Sequence, residues 1–405
     1  MSAAAGALER AYRHERAAVL ATVTRRLDGD LALAEDAVQD AFVAAAVDWD
    51  RRGAPERPGA WLTTTAWRKA LDRLRHERVA AAHAPELAGR EGTVSYDLDY
   101  DASSLDDDQL RMLFTCCHPA LSTEARMALT LRSVAGLTVP EIARAFLSTE
   151  SAMERRLGRA RRKVTTAGIP FRTPADDLLP ERLAGVLRVV YLIYTEGHSA
   201  TRGAAALRGD LCEEAIRLAR LLVRLMPDES EVRGLLALLL LTDARRAARV
   251  DAAGALVALP EQDRTRWDAG RIEEGRGLIR GKPGPYLIQA AIAALHSEAP
   301  TWEATDWPQI AALYAELERR DASPVVTVNR AVAVGFAEGP AAGLAILDAV
   351  AGDERLARYQ PLHAARAELL RTAGDVDAAD AAYARAIALA GNAAEREALE
   401  RRRAG

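Results

Sequence analysis

Over residues 30–49 the apolar side chains Leu33, Ala37, Val38, Ala41 and Phe42 return every three or four positions, the spacing of one helical face. A helix is also predicted over residues 5–28. A third follows a loop holding Gly53, Pro55, Pro58 and Gly59, and carries Leu62, Ala66, Ala70, Leu71 and Leu74 on its apolar side. Together these predict a small bundle over residues 1–78. Over 79–108 the periodicity gives way to Ala, Gly, Ser, Asp and Tyr, which predicts an extended acidic linker. A second helical unit is expected over 109–168, closed by a connector with Gly168, Pro170, Pro174 and Pro180. Beyond it the pattern is helical again, read as an extension domain over 181–283 and helical repeats over 284–405. In the last stretch Ala367, Gly374, Ala379, Tyr383 and Ala386 fall at the small and aromatic positions of a tetratricopeptide-type hairpin, and a degenerate copy starts at Asn329. The expected fold class is all-α.

Residues 136–164 are the most informative segment. Thr138 and Glu141 stand in the relation of a capping box. Ile142, Ala143 and Phe146 form the inner stripe of one short helix, Met153 and Leu157 that of the next, and Ser148 or Thr149 can cap the second. The spacing is that of a helix-turn-helix, although Leu147 stands where the turn usually has glycine. An ordinary amphipathic hairpin would show the same stripes. Arg155, Arg156, Arg159, Arg161, Arg162 and Lys163 suit contacts to phosphate.

The net charge of −4 would not suggest a nucleic-acid partner, but its distribution does. Residues 51–78 hold eight Lys or Arg against three acids, 86–108 eight acids against one Arg, and 141–163 seven basic residues against three acids. Such sorting by segment is unusual for a uniformly solvated surface. Three cysteines, Cys116, Cys117 and Cys212, cannot build a disulfide framework, so a reducing cytoplasm is expected. No apolar run reaches the ~20 residues that span a bilayer, and no signal-peptide core opens the chain; no membrane role is expected.

Read in order, the N-terminal half resembles a bacterial RNA polymerase sigma factor of the extracytoplasmic-function class, which keeps regions 2 and 4 only. Residues 31–49 look like region 2.2, 58–78 like regions 2.3 and 2.4, and 110–122 like the start of region 4, which the helix-turn-helix completes. The motifs YLIYTEGHSAT, PEQDRTRWD, GPYLIQAAIAALH and SPVVTVNRAVAV are similar to a SigI-like subgroup with a fused C-terminal helical, tetratricopeptide-like domain. The resemblance implies a factor that binds core RNA polymerase through the β′ clamp and β flap. It also implies recognition of a −35 promoter element with region 4, and of a −10 element, which it melts, with region 2.

Carried over residue by residue, Glu35, Asp36, Gln39, Asp40 and Phe42 would dock on the clamp. From the residues alone, a solvated acidic face with Phe42 in the core is the favoured reading. Trp61, Thr63, Thr64, Arg68, Lys69, Arg73 and Arg75 would serve the −10 element, with cations for the strand backbone and a pocket for an unstacked base. Here Ala66-Trp67-Arg68 departs from the family's Ala-Arg-Asn, and Trp61 and Trp67 also fit core positions. Thr149, Glu150, Ser151, Ala152, Glu154, Arg155, Arg156 and Arg159 would meet the −35 element, arginine being able to pair bidentately with guanine or phosphate. The acidic linker, with Asp97, Asp99, Asp101 and Asp106 to Asp108, would thread the polymerase's basic channels.

Cys116-Cys117-His118 is a poor tetrahedral zinc set, and no nucleophile triad, Walker loop or dinucleotide fingerprint occurs. No metal, cofactor or catalytic residue is therefore expected, and the chain is not expected to be an enzyme. For the extension, Tyr191, Tyr194, Glu196, His198 and the cluster Gln262, Asp263, Arg264, Arg266, Trp267 and Asp268 are its most pointed chemistry. A protein partner or an intramolecular contact is expected for it. Two other readings remain: a stand-alone helix-turn-helix regulator with an interaction domain, and a tetratricopeptide scaffold.

Overall fold

The computed structural model describes residues 3–82, 102–146, 148–198, 207–251 and 255–404. Among these the fold is all-α, and the sole extended pairing is an isolated bridge between Val250 and Leu256. The chain divides into two compact units, Met1–Val189 and Val190–Gly405. No helix among the described residues is long and apolar enough to cross a membrane.

The first unit opens with α1 (Ala3–His14), α2 (Arg16–Arg26), α3 (Leu31–Arg52) and α4 (Pro58–Ala82). The helix expected over 5–28 is thus two helices, and α2 begins at Arg16, whose side chain turns inward to Glu35. Asp28 and Gly29 take positive φ between α2 and α3, and Asp30 then caps α3 by accepting from the Leu33 amide at 3.0 Å. Ala34, Ala37, Ala41 and Ala45 are fully buried on α3, and these small side chains let α4 lay Leu62, Ala66 and Ala70 against it.

Next come α5 (Ala102–Cys116), α6 (Thr123–Leu129), a π-turn over Thr130–Val134, α7 (Val139–Ala145), α8 (Glu150–Thr166) and α9 (Leu179–His198). Most of the expected linker, residues 83–101, lies outside the described residues, while 102–108 form the first turns of α5. The acids Asp97, Asp99 and Asp101 fall in that undescribed stretch, and Leu147 of the turn also lies outside the described residues. The unit does not stop at Gly168: Ile169, Leu183 and Val186 are buried in it, and Arg182 donates to the Phe114 carbonyl at 3.0 Å.

The second unit continues with α10 (Gly209–Leu225), α11 (Ser230–Asp243), α12 (Ala269–Gly277), α13 (Pro285–Glu298), α14 (Trp307–Arg320) and α15 (Pro324–Glu338). It ends with α16 (Pro340–Val350), α17 (Gln360–Thr372), α18 (Val376–Leu389) and α19 (Ala393–Ala404). Helix α11 is apolar on nearly every side, as befits a helix enclosed by its neighbours. Gly234 makes its closest approach possible, since a Cβ there would lie 2.6 Å from the Leu287 amide nitrogen of α13. Gly234→Ala should therefore cost this unit about 1–3 kcal/mol, read as a lower urea midpoint for its transition. The last helices form antiparallel pairs: α15 with α16 across Gly339 at φ +107°, and α17 with α18 across Gly374 at φ +84°. Ala367, Ala379, Tyr383 and Ala386 are buried between neighbouring helices, and the Tyr383 hydroxyl donates to Glu368 at 2.9 Å.

Candidate nucleic-acid interface

Helix α8 sorts its residues cleanly. Thr149 precedes it in extended backbone and accepts from the Ala152 amide at 3.2 Å, so Thr149 rather than Ser148 is the cap. The capping box upstream is also formed: the Thr138 amide donates to Glu141 at 2.7 Å, and the Glu141 amide to the Thr138 hydroxyl at 3.4 Å. Met153, Leu157, Ala160 and Val164 are buried on one face. Glu150, Ser151, Glu154, Arg155 and Arg159 stand exposed on the other, with Ala152 half-buried at the edge. Arg156 is set apart: it is half-buried and paired with Glu124 of α6 at 3.3 Å. Arg161 points away from the exposed face altogether, toward Glu35 at 3.1 Å.

On α4, Arg68, Lys69 and Arg75 are exposed, Arg75 lying 3.5 Å from Asp72. Arg73 is engaged, forking between Asp36 at 2.7 Å and Asp40 at 2.8 Å on α3. Thr63 is buried with its hydroxyl on the Gly59 carbonyl, and half-buried Thr64 donates likewise to Ala60. Trp61 packs edge-on against buried Trp49 at 5.6 Å, and Trp67 is buried beneath the guanidinium of Arg26. Trp67 is thus a core residue and Trp61 a half-buried one at its edge.

Helix α3 divides the five expected docking residues. Asp36 and Gln39 are exposed and Asp40 half-buried, whereas Phe42 is buried against Tyr12, with ring centroids 5.2 Å apart. Two residues that periodicity did not single out share the outward face: Val43 is 63 % and Val47 54 % exposed. Positions 36, 40, 43 and 47 follow the i, i+4, i+7, i+11 spacing of one stripe, so the apolar element of the surface is this valine pair rather than Phe42.

Glu35 is only 3 % exposed and faces inward. It meets Arg132 of the π-turn at 2.6 Å, Arg161 of α8 at 3.1 Å and Arg16 of α2 at 3.3 Å. Burial alone would raise its pKa, but Arg161, Arg16 and Arg132 outweigh that and hold it below the usual carboxylate range. Arg16 and Arg132 are tied further, to the Arg132 carbonyl at 2.7 Å and the Leu137 carbonyl at 3.0 Å respectively. A second buried carboxylate, Asp108 of α5, joins Arg25 of α2 at 2.9 Å and Arg111 at 3.0 Å. Glu35 and Asp108 thus knit the two helical groups of the first unit together. Neither pairing is visible in local periodicity, because Arg132 lies 97 positions from Glu35 and Arg25 lies 83 from Asp108.

Cys116 and Cys117 are buried packing residues, and burial pushes the Cys117 thiol up to about 11. Among the described residues no group of three or more His, Cys, Asp or Glu converges as a metal set would.

Comparison with known proteins places three family models on the chain. Sigma-70 region 2 matches residues 11–79, sigma-70 region 4 residues 111–164, and a family of unknown function, DUF6596, residues 182–282. An uncharacterized protein of Rhizobium meliloti (strain 1021) is 47 % identical over 376 residues, which is 90 % of this chain and 88 % of the relative. No solved structure matches the chain.

Proposed function

We propose that this chain, which carries sigma-70 regions 2 and 4 followed by a DUF6596 domain, is a sigma factor of the extracytoplasmic-function class with a tetratricopeptide-like tail. Sigma factors bind core RNA polymerase and promoter DNA. In the proposed division of labour, Asp36, Gln39 and Asp40, with Val43 and Val47 as apolar anchors, meet the β′ clamp. Arg68, Lys69 and Arg75 face the −10 strand, and the outer face of α8 reads the −35 element, with the β flap seating region 4. The observation that carries this is the two-sided character of α8, whose buried stripe leaves Arg155 and Arg159 outward beside a formed cap. The work is placed in the cytoplasm, where polymerase and DNA are.

Charge reversal at Asp36 and Asp40 is expected to weaken core binding at least roughly tenfold, since like charge against the partner's basic helix adds repulsion to lost pairing. Titration of labelled core polymerase measures it, and unchanged affinity would remove α3 from the docking surface. The pairs α15–α16 and α17–α18 support the tetratricopeptide-like reading, and we hold that the tail is required for activity. A chain ending after His198, which keeps Ile169, Leu183 and Val186 in the first unit, should initiate poorly. Initiation at the full-length rate would refute that requirement.

A further inference from the structure

The second unit encloses a group of cations that promoter recognition does not use. Arg245 and Arg249 stand one turn apart after α11, and Arg264 belongs to the short turn Arg264–Arg266. Arg249 donates to the His198 carbonyl at 2.5 Å. Arg264 donates to the carbonyls of His296 at 2.7 Å and Ala299 at 2.8 Å, and its guanidinium lies 4.4 Å over the Trp267 ring. Among the described residues no carboxylate forms an ion pair with Arg245, Arg249 or Arg264. Asp243 and Glu213 pair with Arg246 and Arg271, and Glu368 with Arg371 and Arg402, while Glu395 and Glu303 act on Arg249 and Arg264 only from beyond ion-pair distance. The adjoining segments 199–206 and 252–254 contain neither Asp nor Glu.

Burial first, and the mutual repulsion of the cations second, lower the pKa values within the group. Burial and the charge of Arg249 bring Arg245 down to about 10, and burial with Arg245 and Arg264 brings His296 down to about 4. Arg264 Nη2, His296 Nδ1 and Trp267 Nε1 are buried without a hydrogen-bond partner. Beside this group opens a cavity of about 590 Å³ whose wall carries Trp302, Phe336 and four arginines, among them Arg249, against the two carboxylates Glu261 and Glu368, the latter already paired with Arg371 and Arg402. Trp302 and Phe336 meet edge-on at 5.2 Å, and His296 stacks behind Trp302 at 6.3 Å. A guanidinium removed from water without a counter-charge is costly, whereas an oxyanion brought to two such groups gains charge-assisted hydrogen bonds. The volume is that of a small-molecule site.

We propose that this cavity binds a small ligand bearing an oxyanion on a flat apolar body, the anion held at Arg249 with Arg245 behind it and the body lying against Trp302 and Phe336. The binding claim stands apart from the promoter reading. It is tested on the full-length protein with benzoate, phenyl phosphate, inorganic phosphate and uncharged benzyl alcohol at millimolar concentration. Thermal unfolding and tryptophan emission are the readouts. Benzoate or phenyl phosphate should raise the midpoint by a few degrees and change the emission, and which of them is stronger separates a carboxylate from a phosphate ligand. Arg245→Met should leave the free protein as stable or more so, because an unpaired buried charge is removed, and should abolish the ligand shift. A structural arginine would behave oppositely. The proposal is overturned if benzyl alcohol or inorganic phosphate alone matches the aromatic anions, if no probe shifts the midpoint, or if Arg245→Met destabilises the protein while keeping the shift. Should that variant not fold, Phe336→Leu must lower affinity for the phenyl probes at least about threefold; unchanged affinity rejects the site.

Discussion

Replacing Glu35 by alanine is expected to lower the unfolding free energy of the first unit by about 3–5 kcal/mol. The side chain is 3 % exposed and meets three arginines, of which Arg16 is itself 3 % exposed. Removing the carboxylate leaves those cations beside one another in a largely buried site, so the loss reflects uncompensated charge rather than one missing contact. Glu35→Gln keeps an acceptor for Arg132 and should fall between wild type and alanine. Urea unfolding followed by circular dichroism, taking the transition of the first unit, measures both. A loss below about 1 kcal/mol for the alanine variant would mean that the group is solvated. The linkage has a definite sign. A carboxylate whose folded pKa is lowered contributes its stability above the ordinary carboxylate value and loses it as pH falls through the lowered one. Wild type should therefore soften in acid more steeply than Glu35→Gln. The same burial bears on docking: Glu35 can reach a polymerase surface only if its contacts with Arg132 and Arg161 part.

Arg155→Ala is expected to reduce promoter-specific initiation roughly ten- to hundredfold, the value of one bidentate arginine contact to guanine, while core binding is unchanged. Arg155 lies exposed near the capped end of α8 and makes no ion pair among the described residues. Arg156→Ala should cost less, because Arg156 is half-buried on Glu124 and that pairing competes with DNA. Run-off transcription and core titration of the two variants side by side provide the test. Equal losses, or a loss of core binding with Arg155→Ala, would contradict the assignment of α8.

Local chemistry made the helix-turn-helix legible. The capping box of Thr138 with Glu141 and the N-cap of Thr149 on Ala152 each span only three positions of sequence, and both are formed as hydrogen bonds. The bundle helices were legible for the same reason. What periodicity could not show was which of two adjacent positions turns inward when both are compatible with the stripe. Glu35 and Asp36 differ by one residue, yet one is interior and the other exposed because Arg132 and Arg161 arrive from remote parts of the chain. Phe42, expected on the docking face, turns inward likewise: it finds Tyr12, while the adjacent Val43, to which no role was assigned, stays outside. In the second unit the turn at Gly374 and the buried small residues Ala367, Ala379 and Ala386 were readable locally. The cation group was not, since Arg245, Arg264 and His296 come from separate elements and meet only after packing.

The most direct measurement is transcription in vitro with purified core polymerase on a library of promoter fragments, with and without this protein. Transcripts from defined start sites that depend on the protein, and that fall sharply with Arg155→Ala, are the result expected of a two-region initiation factor. No protein-dependent start sites, together with a footprint of the protein alone on duplex DNA, would contradict it and identify a stand-alone DNA-binding regulator instead.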